Sequence, residues 1–276
     1  MNMGYKAMWK DKFEPSEHEV LVESSFTDYT EEKNNSVLKA VYSRLDGAIR
    51  SRWFYKTAEK KVRKQFPIVV KAQEKARLDG GLIGQYQWVR LNEIARFVNL
   101  FNVKSVCEFG SGGGSTTMFS QLGLNHFVSL EENDMWYERT KQCLPDGAKV
   151  ELLRKDRLSI EYDGEPCTRY DLPDEFYQQH FDLVYIDGPT SRPLSENESS
   201  LPILDKSKQM MPNVDIELFF ENGSFPRVIL IDARRPTVRR ICQKYSHRYD
   251  IFLRYYYKSP QDRAGEFLYH TVMVRK

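Results

Sequence analysis

Past residue 85 the hydrophobic positions settle into two alternating rhythms. Trp88, Leu91, Ile94, Ala95, Val98 and Leu100 recur at helical intervals, which predicts a helix over 85–102. Ser105 to Phe109 is a short apolar run that ends in a cluster of glycines, the pattern of a buried strand and a turn. The alternation then repeats. Helices are expected at 116–122, 137–144 and 238–245, and strands at 126–130, 150–153, 181–186 and 228–231. Strands that alternate with helices predict a mostly parallel α/β sheet covered on both faces. The last two apolar runs, 249–257 and 267–274, flank Ser259-Pro260-Gln261-Asp262 and predict an antiparallel hairpin at the sheet edge.

The first 80 residues follow a different pattern. Val37, Leu38, Val41, Leu45, Ile49, Phe54 and Val62 predict helix over 36–64, with a break near Pro67. Asp79-Gly80-Gly81 is a turn signal, so the expected organisation is a mainly helical N-terminal extension (1–80) and a main domain (81–276). Charge is segregated inside the extension. Residues 11–32 hold eight acids and one base, whereas 50–77 hold ten bases and two acids. No internal repeat is visible.

Composition narrows the class. A chain of 276 residues with 41% hydrophobic positions can bury a sizeable core. Its formal net charge of +2 excludes a polycation built to coat nucleic acid. No apolar stretch approaches the roughly 20 residues a membrane helix needs. The N-terminus also lacks the apolar segment of a secretory signal. Cys107, Cys143, Cys167 and Cys242 form no C-x-x-C pair, which argues against a zinc module and for a reducing compartment. A soluble cytoplasmic protein without a membrane span is expected.

The chemistry concentrates at Glu108-Phe109-Gly110-Ser111-Gly112-Gly113-Gly114. Glycines let the backbone turn sharply and approach a ligand with no Cβ in the way. A loop placed where a strand feeds a helix is where α/β sheets bind nucleotides, and amides opening the helix favour anionic groups. Glu131, at the end of the next strand, is placed to accept both hydroxyls of a ribose, with Glu132 as the fallback. A G-x-G-x-x-G dinucleotide fingerprint fails in either register, because its last position falls on Ser115 or Thr117.

The E-x-G-x-G-x-G arrangement from Glu108 to Gly114 instead resembles the first motif of class I S-adenosylmethionine-dependent methyltransferases. Ser129 to Tyr137 resembles that family's second strand and ribose acid. Phe181 to Pro189 resembles its fourth strand and active-site loop. Val228 to Pro236 is similar to the fifth strand and loop of small-molecule O-methyltransferases. The resemblance covers about 81–276. It implies a Rossmann-like fold: a central mostly parallel seven-stranded sheet with helices on both faces and an antiparallel C-terminal hairpin. It also implies S-adenosylmethionine as cofactor, held by Glu108, Gly110, Ser111, Gly112, Gly114, Glu131 and Asp187. By the same resemblance Asp156 and Arg157 lie near the adenine, and Gln85 and Tyr86 close over the methionine end.

Asp187 and Asp232 follow the fourth and fifth strands, so both should face one crevice and are the catalytic candidates. Either acts as a general base toward an acceptor hydroxyl, or the pair holds a hard divalent cation such as Mg. The metal-dependent catechol branch of the family has an Asp-Asn pair after the fifth strand. Here the pair is Asp232-Ala233, so a metal is not favoured. Arg192, Arg234 and Arg235 are candidate contacts for an anionic substrate, and the polar stretch 189–226 reads as a long loop over the site. His180 and His270 read as structural. The expected activity is methyl transfer to an oxygen of a small molecule or sugar-like metabolite. Two alternatives stay open: an RNA methyltransferase using the basic 50–77 segment, and a non-catalytic binding subunit that contacts a partner through 1–80.

Overall fold

The structure, a computed structural model, describes residues 22–23, 56–78, 86–189, 211–232, 234–256 and 268–276. Residues 56–65 form helix α1. It stops at Phe66 because Pro67 has no N–H to extend the ladder, and that proline opens α2 (Pro67–Leu78). The break predicted near Pro67 is therefore a junction between two helices. The predicted helix over 36–55 lies outside the described residues.

Then come α3 (Tyr86–Leu100), β1 (Ser105–Phe109), α4 (Ser115–Ser120), β2 (His126–Glu131), α5 (Asp134–Cys143) and β3 (Glu151–Arg154). A two-stranded ribbon of β4 (Arg157–Tyr162) and β5 (Glu165–Tyr170) follows, then β6 (Leu183–Ile186) and α6 (Asp215–Glu221). The chain finishes with β7 (Val228–Asp232), α7 (Arg235–Tyr245), β8 (Tyr249–Tyr256) and β9 (Leu268–Arg275).

The main sheet runs β8-β9-β7-β6-β1-β2-β3, and a two-residue strand at Val22–Glu23 pairs antiparallel with β8 at its edge. The strands from β3 to β7 are parallel, while β9 runs antiparallel to both β7 and β8. This is the expected Rossmann-like sheet with its reversed terminal hairpin, widened from seven strands to eight by Val22–Glu23. Among the described residues no helix is long and apolar enough to cross a membrane.

Side chains of the central strands alternate between two cores, as the period of two requires. Val106, Leu183, Tyr185, Val228 and Leu230 point to one face, where α1 to α4 cover them with Val62, Val69, Leu91, Ile94, Phe97 and Phe119. Cys107, Phe109, Val184, Ile186, Ile229 and Ile231 point to the other face, against α6, α7 and the short 3-10 turn Asp174–Gln178. The predicted apolar face of α3 is wider than the periodicity suggested. Val89 and Phe97 are buried along with Trp88, Leu91, Ile94, Ala95 and Val98, because α3 shares one core cluster with the sheet and with Val62, Val69 and Val70 of α1 and α2.

Two elements were not expected from the sequence. The ribbon β4–β5 turns at Asp163 and Gly164, whose φ values of +52° and +74° are the two left-handed positions of a tight hairpin turn. The second half of the stretch read as a polar loop, 211–226, carries α6, with Asp215 and Glu217 fully buried. Their burial is compensated: Asp215 accepts from the Tyr177 hydroxyl and Asn213 Nδ2, both at 2.5 Å, and Glu217 meets two cations. Arg240 of α7 meets Glu217, Glu165 at 3.0 Å and Asp163 at 2.5 Å, and Lys244 meets Glu217 at 2.7 Å. This network ties ribbon, α6 and α7 together beside the second core.

Candidate active site

Strand register lines up the candidate residues along one edge. Phe109 pairs with both Leu130 and Ile186, and Ile186 pairs with Ile231. One residue further along each strand stand Gly110, Glu131, Asp187 and Asp232, side by side at the carboxyl ends of four parallel strands. The chain crosses from β1 toward β2 and β3 on one side and enters β6 and β7 on the other. The gap between β1 and β6 is thus the topological switch point, where open α/β sheets bind ligands.

The glycine loop closes over this point. The amides of Gly110 and Ser111 both donate to Leu130 O, at 2.9 and 2.8 Å, and Asp187 N donates to Phe109 O at 2.7 Å. Gly110 has φ +86°. A Cβ there would press into Gly188 N and lie 2.5 Å from Asp187 C. Glycine is required for both reasons. Gly112 is looser, since an added Cβ would meet only Ser115 Oγ, at 3.2 Å. The helix after the loop, α4, is only six residues long, and the amide of Gly112 is already bound by Thr116 Oγ1 at 3.0 Å. Gly114 serves as the N-cap residue of α4.

Beneath the loop Glu108 is fully buried. Its Oε2 accepts from Thr116 Oγ1 at 2.7 Å and Ser129 Oγ at 2.6 Å, while Oε1 has no partner in hydrogen-bonding geometry. Burial raises its carboxyl to about 7, against the pull of the Ser115, Ser129 and Thr116 hydroxyls. Glu131 is also buried. It accepts from Ser111 Oγ at 3.3 Å and from Asn133 N at 2.9 Å, and burial, helped by the charge of Glu132, lifts it to about 8. The fallback acid Glu132 is engaged by the Tyr170 hydroxyl at 2.9 Å.

These raised acids make a stability prediction. Glu108, Glu131 and Asp215 (burial raises the last to about 6) each hold a proton more tightly when folded than when unfolded. Their contribution is complete below the unfolded carboxylate range and is lost as pH rises through 6 to 8. For Glu108 alone, the rise from 4.5 to about 7 corresponds to about 3 kcal/mol. Thermal melts of the ligand-free protein should show Tm falling steadily from pH 5 to pH 8.5, and Glu108→Gln should flatten that slope.

Asp187 and Asp232 do converge, and a third side chain lies between them. Arg90, from the first turns of α3, donates Nη1 to Asp187 Oδ2 at 2.9 Å and Nη2 to Asp232 Oδ2. Its side chain is only 11% exposed. Burial raises the Asp232 carboxyl well above the ordinary range; Arg90 and Arg234 pull it down and Asp187 pushes it up. Arg234 spends its terminal nitrogens on the carbonyls of Asp187 and Pro189, with Asp187 Oδ1 at 3.9 Å. In this geometry it fastens the 187–189 loop and does not offer a free fork to an anionic substrate.

The other candidates are more scattered. Asp156 is a solvated acid beyond β3, paired with Arg154 at 3.0 Å, and Arg157 opens β4. Arg235 opens α7. Gln85 and Arg192 lie outside the described residues, as does the side chain of Tyr86. His180 Nδ1 lies 3.2 Å from Ser224 Oγ. Arg90 went unnoticed in the sequence, although a signal was there. It shares a helical stripe with Ile94 and Phe97, both fully buried, so a strong base falls on an apolar face.

No family model matches the chain, and no curated protein matches it. Solved structures do. An O-methyltransferase from Bacillus cereus in complex with SAH is 13% identical, over 80% of this chain and 97% of that one, with a TM-score of 0.49. The O-methyltransferase TomG from Streptomyces achromogenes, in complex with SAM, is 12% identical over 80% and 96%, at 0.47. An SAH-bound methyltransferase from Podospora anserina is 13% identical over 76% and 88%, at 0.44.

Proposed function

We propose that the protein is an S-adenosylmethionine-dependent methyltransferase acting on an oxygen of a small molecule, in the domain 81–276. The observation that carries the reading is the contact of Gly110 with Gly188 at the switch point, flanked by the buried acids Glu108 and Glu131. The residues fit the cofactor's chemistry. A ribose presents two hydroxyl donors, and Glu131 is an acceptor at the end of the neighbouring strand. The unpartnered Oε1 of Glu108 lies under the glycine loop, where an amino-acid end would rest. When bound, the cofactor supplies an electrophilic methyl on sulfonium sulfur: the acceptor's O–C bond forms as the C–S bond breaks, and that electron pair stays on sulfur.

Methyl transfer of this kind needs alignment, a dry site and removal of the acceptor's proton. Asp232 suits the last task. A carboxylate made more basic by burial takes a hydroxyl proton better than a solvated one. Arg90 holds Asp232 and Asp187 in fixed orientations beside the glycine loop.

Calorimetric titration with S-adenosylhomocysteine tests the reading. The wild type should bind in the micromolar range, and Gly112→Asp should lose at least about 100-fold, or about 2.7 kcal/mol. An added Cβ at Gly112 would meet only the rotatable Ser115 hydroxyl, at 3.2 Å, and a thermal melt matching the wild type's shows that the loss reports the loop's role and not unfolding. Absence of binding to the wild type would sink the proposal. A second reading, an RNA methyltransferase, is favoured by one observation: Lys56, Lys60, Lys61, Lys64 and Lys71 are exposed on α1 and α2. Salt-dependent RNA binding that disappears when Lys60, Lys61 and Lys64 are neutralised would decide for it.

A further inference from the structure

Two carboxylates at the ends of adjacent parallel strands are half of a hard-cation site, and they raise the question of what neutralises them. Here the answer is covalently part of the chain. Arg90 reaches both carboxylates with its two terminal nitrogens, and Asp187 receives a second guanidinium from Arg234. With both carboxylates ionised, two acids face two bases and the cluster is balanced. Asp232, Arg90 and Arg234 are all at most 16% exposed. A divalent ion added there would leave two uncompensated positive charges in a poorly solvated crevice, a costly arrangement. It would also need the Oδ2 atoms that Arg90 already occupies. The donor set is thin as well. Among the described residues, no three His, Cys, Asp or Glu side chains gather as ligands. A divalent metal therefore does not fit.

We propose that Arg90 is the resident cation of this site. Its guanidinium takes the place between Asp187 and Asp232 that a metal ion would fill, and it positions both carboxylates for the acceptor without a metal. The inference rests on reading the crevice as a methyl-transfer site, and it adds what replaces the metal there. A planar fork suits this task because it fixes two carboxylates at once, which an ammonium does not do. The fork also comes from helix α3, whose buried residues belong to the core cluster of the sheet, so the two aspartates are held from outside their own strands.

Mn2+ is the probe, with electron paramagnetic resonance for binding and thermal melts for its consequence. For the wild type, millimolar Mn2+ should leave Tm unchanged and show no bound ion that depends on Asp187. Arg90→Gln should melt lower than the wild type. Mn2+ should restore part of that loss, with an apparent Kd at least about tenfold tighter than that of the wild type. Adding Asp187→Asn to Arg90→Gln should abolish the response. Turnover by the wild type should survive EDTA. Arg90→Lys should keep more of kcat than Arg90→Gln, with affinity for S-adenosylhomocysteine unchanged in both.

Mn2+ binding to the wild type that disappears in Asp187→Asn overturns the proposal. So does a folded Arg90→Gln that ignores Mn2+. Should Arg90→Gln fail to fold, the wild-type titration decides by itself. Failure of the wild type to bind S-adenosylhomocysteine would count against the methyltransferase reading. The Mn2+ result, in contrast, bears on what neutralises the aspartates.

Discussion

Gly110→Ala should destabilise the protein by about 3–5 kcal/mol and remove cofactor binding altogether. The two costs have one origin. At φ +86° a side chain is strained, and its Cβ would strike the Gly188 and Asp187 backbone. Backbone in a parallel sheet has little room to retreat, because Asp187 N is tied to Phe109 O and Gly110 N to Leu130 O. The strand ends would have to part, and the space the loop encloses would part with them. Gly123 offers the control. It too has positive φ (+66°) but nothing within 4 Å of a built Cβ, so Gly123→Ala should cost only about 1 kcal/mol. Chemical denaturation of both variants, with S-adenosylhomocysteine calorimetry on each, separates strain from collision.

Asp232→Asn should lower kcat by about 10²- to 10⁴-fold while leaving S-adenosylhomocysteine affinity within about threefold. Asparagine keeps the shape and still meets Arg90, but it cannot take a proton. In the wild type, burial holds Asp232 protonated further up the pH scale than an ordinary carboxylate. The base form grows as pH rises, so kcat/KM should climb through neutrality and then level off. In Asp232→Asn that climb should vanish. Initial rates against pH, with the acceptor the wild type methylates, check both. An unchanged profile in Asp232→Asn would remove Asp232 from proton transfer and leave Asp187 as the candidate.

Much of this site could be read before the fold was known, for a physical reason. Strands buried on both faces are written as continuous apolar runs, such as Val228-Ile229-Leu230-Ile231, and glycines mark where their ends turn. Once those runs are ordered in a parallel sheet, Gly110, Glu131, Asp187 and Asp232 must share an edge. What escaped were features whose pattern is set by tertiary partners. β4 and β5 alternate polar with apolar residues weakly, because the ribbon stands off the main sheet, although Asp163-Gly164 is a strong hairpin signal. α6 reads as polar because Asp215 and Glu217 look like surface acids. They are buried because Asn213, two residues before Asp215, and Tyr177, Arg240 and Lys244, from other elements, meet them. Arg90 escaped for the same reason, since both of its partners lie on strands far along the chain.

The separation of extension and main domain also looks different in three dimensions. Ala58, Val62, Val69 and Val70, from α1 and α2, belong to the same core cluster as Trp88, Leu91 and the sheet residues Val106 and Tyr185. At least this part of the first 80 residues completes the layer that holds α3, and α3 carries Arg90.

The most direct test of the whole account is a crystal structure of the protein with S-adenosylhomocysteine. The ribose hydroxyls should rest on Glu131 and the amino-acid end over Gly110 to Gly114. The sulfur should face the crevice where Arg90 joins Asp187 and Asp232. Ligand density at any other place on the molecule, or none at saturating concentration, would contradict it.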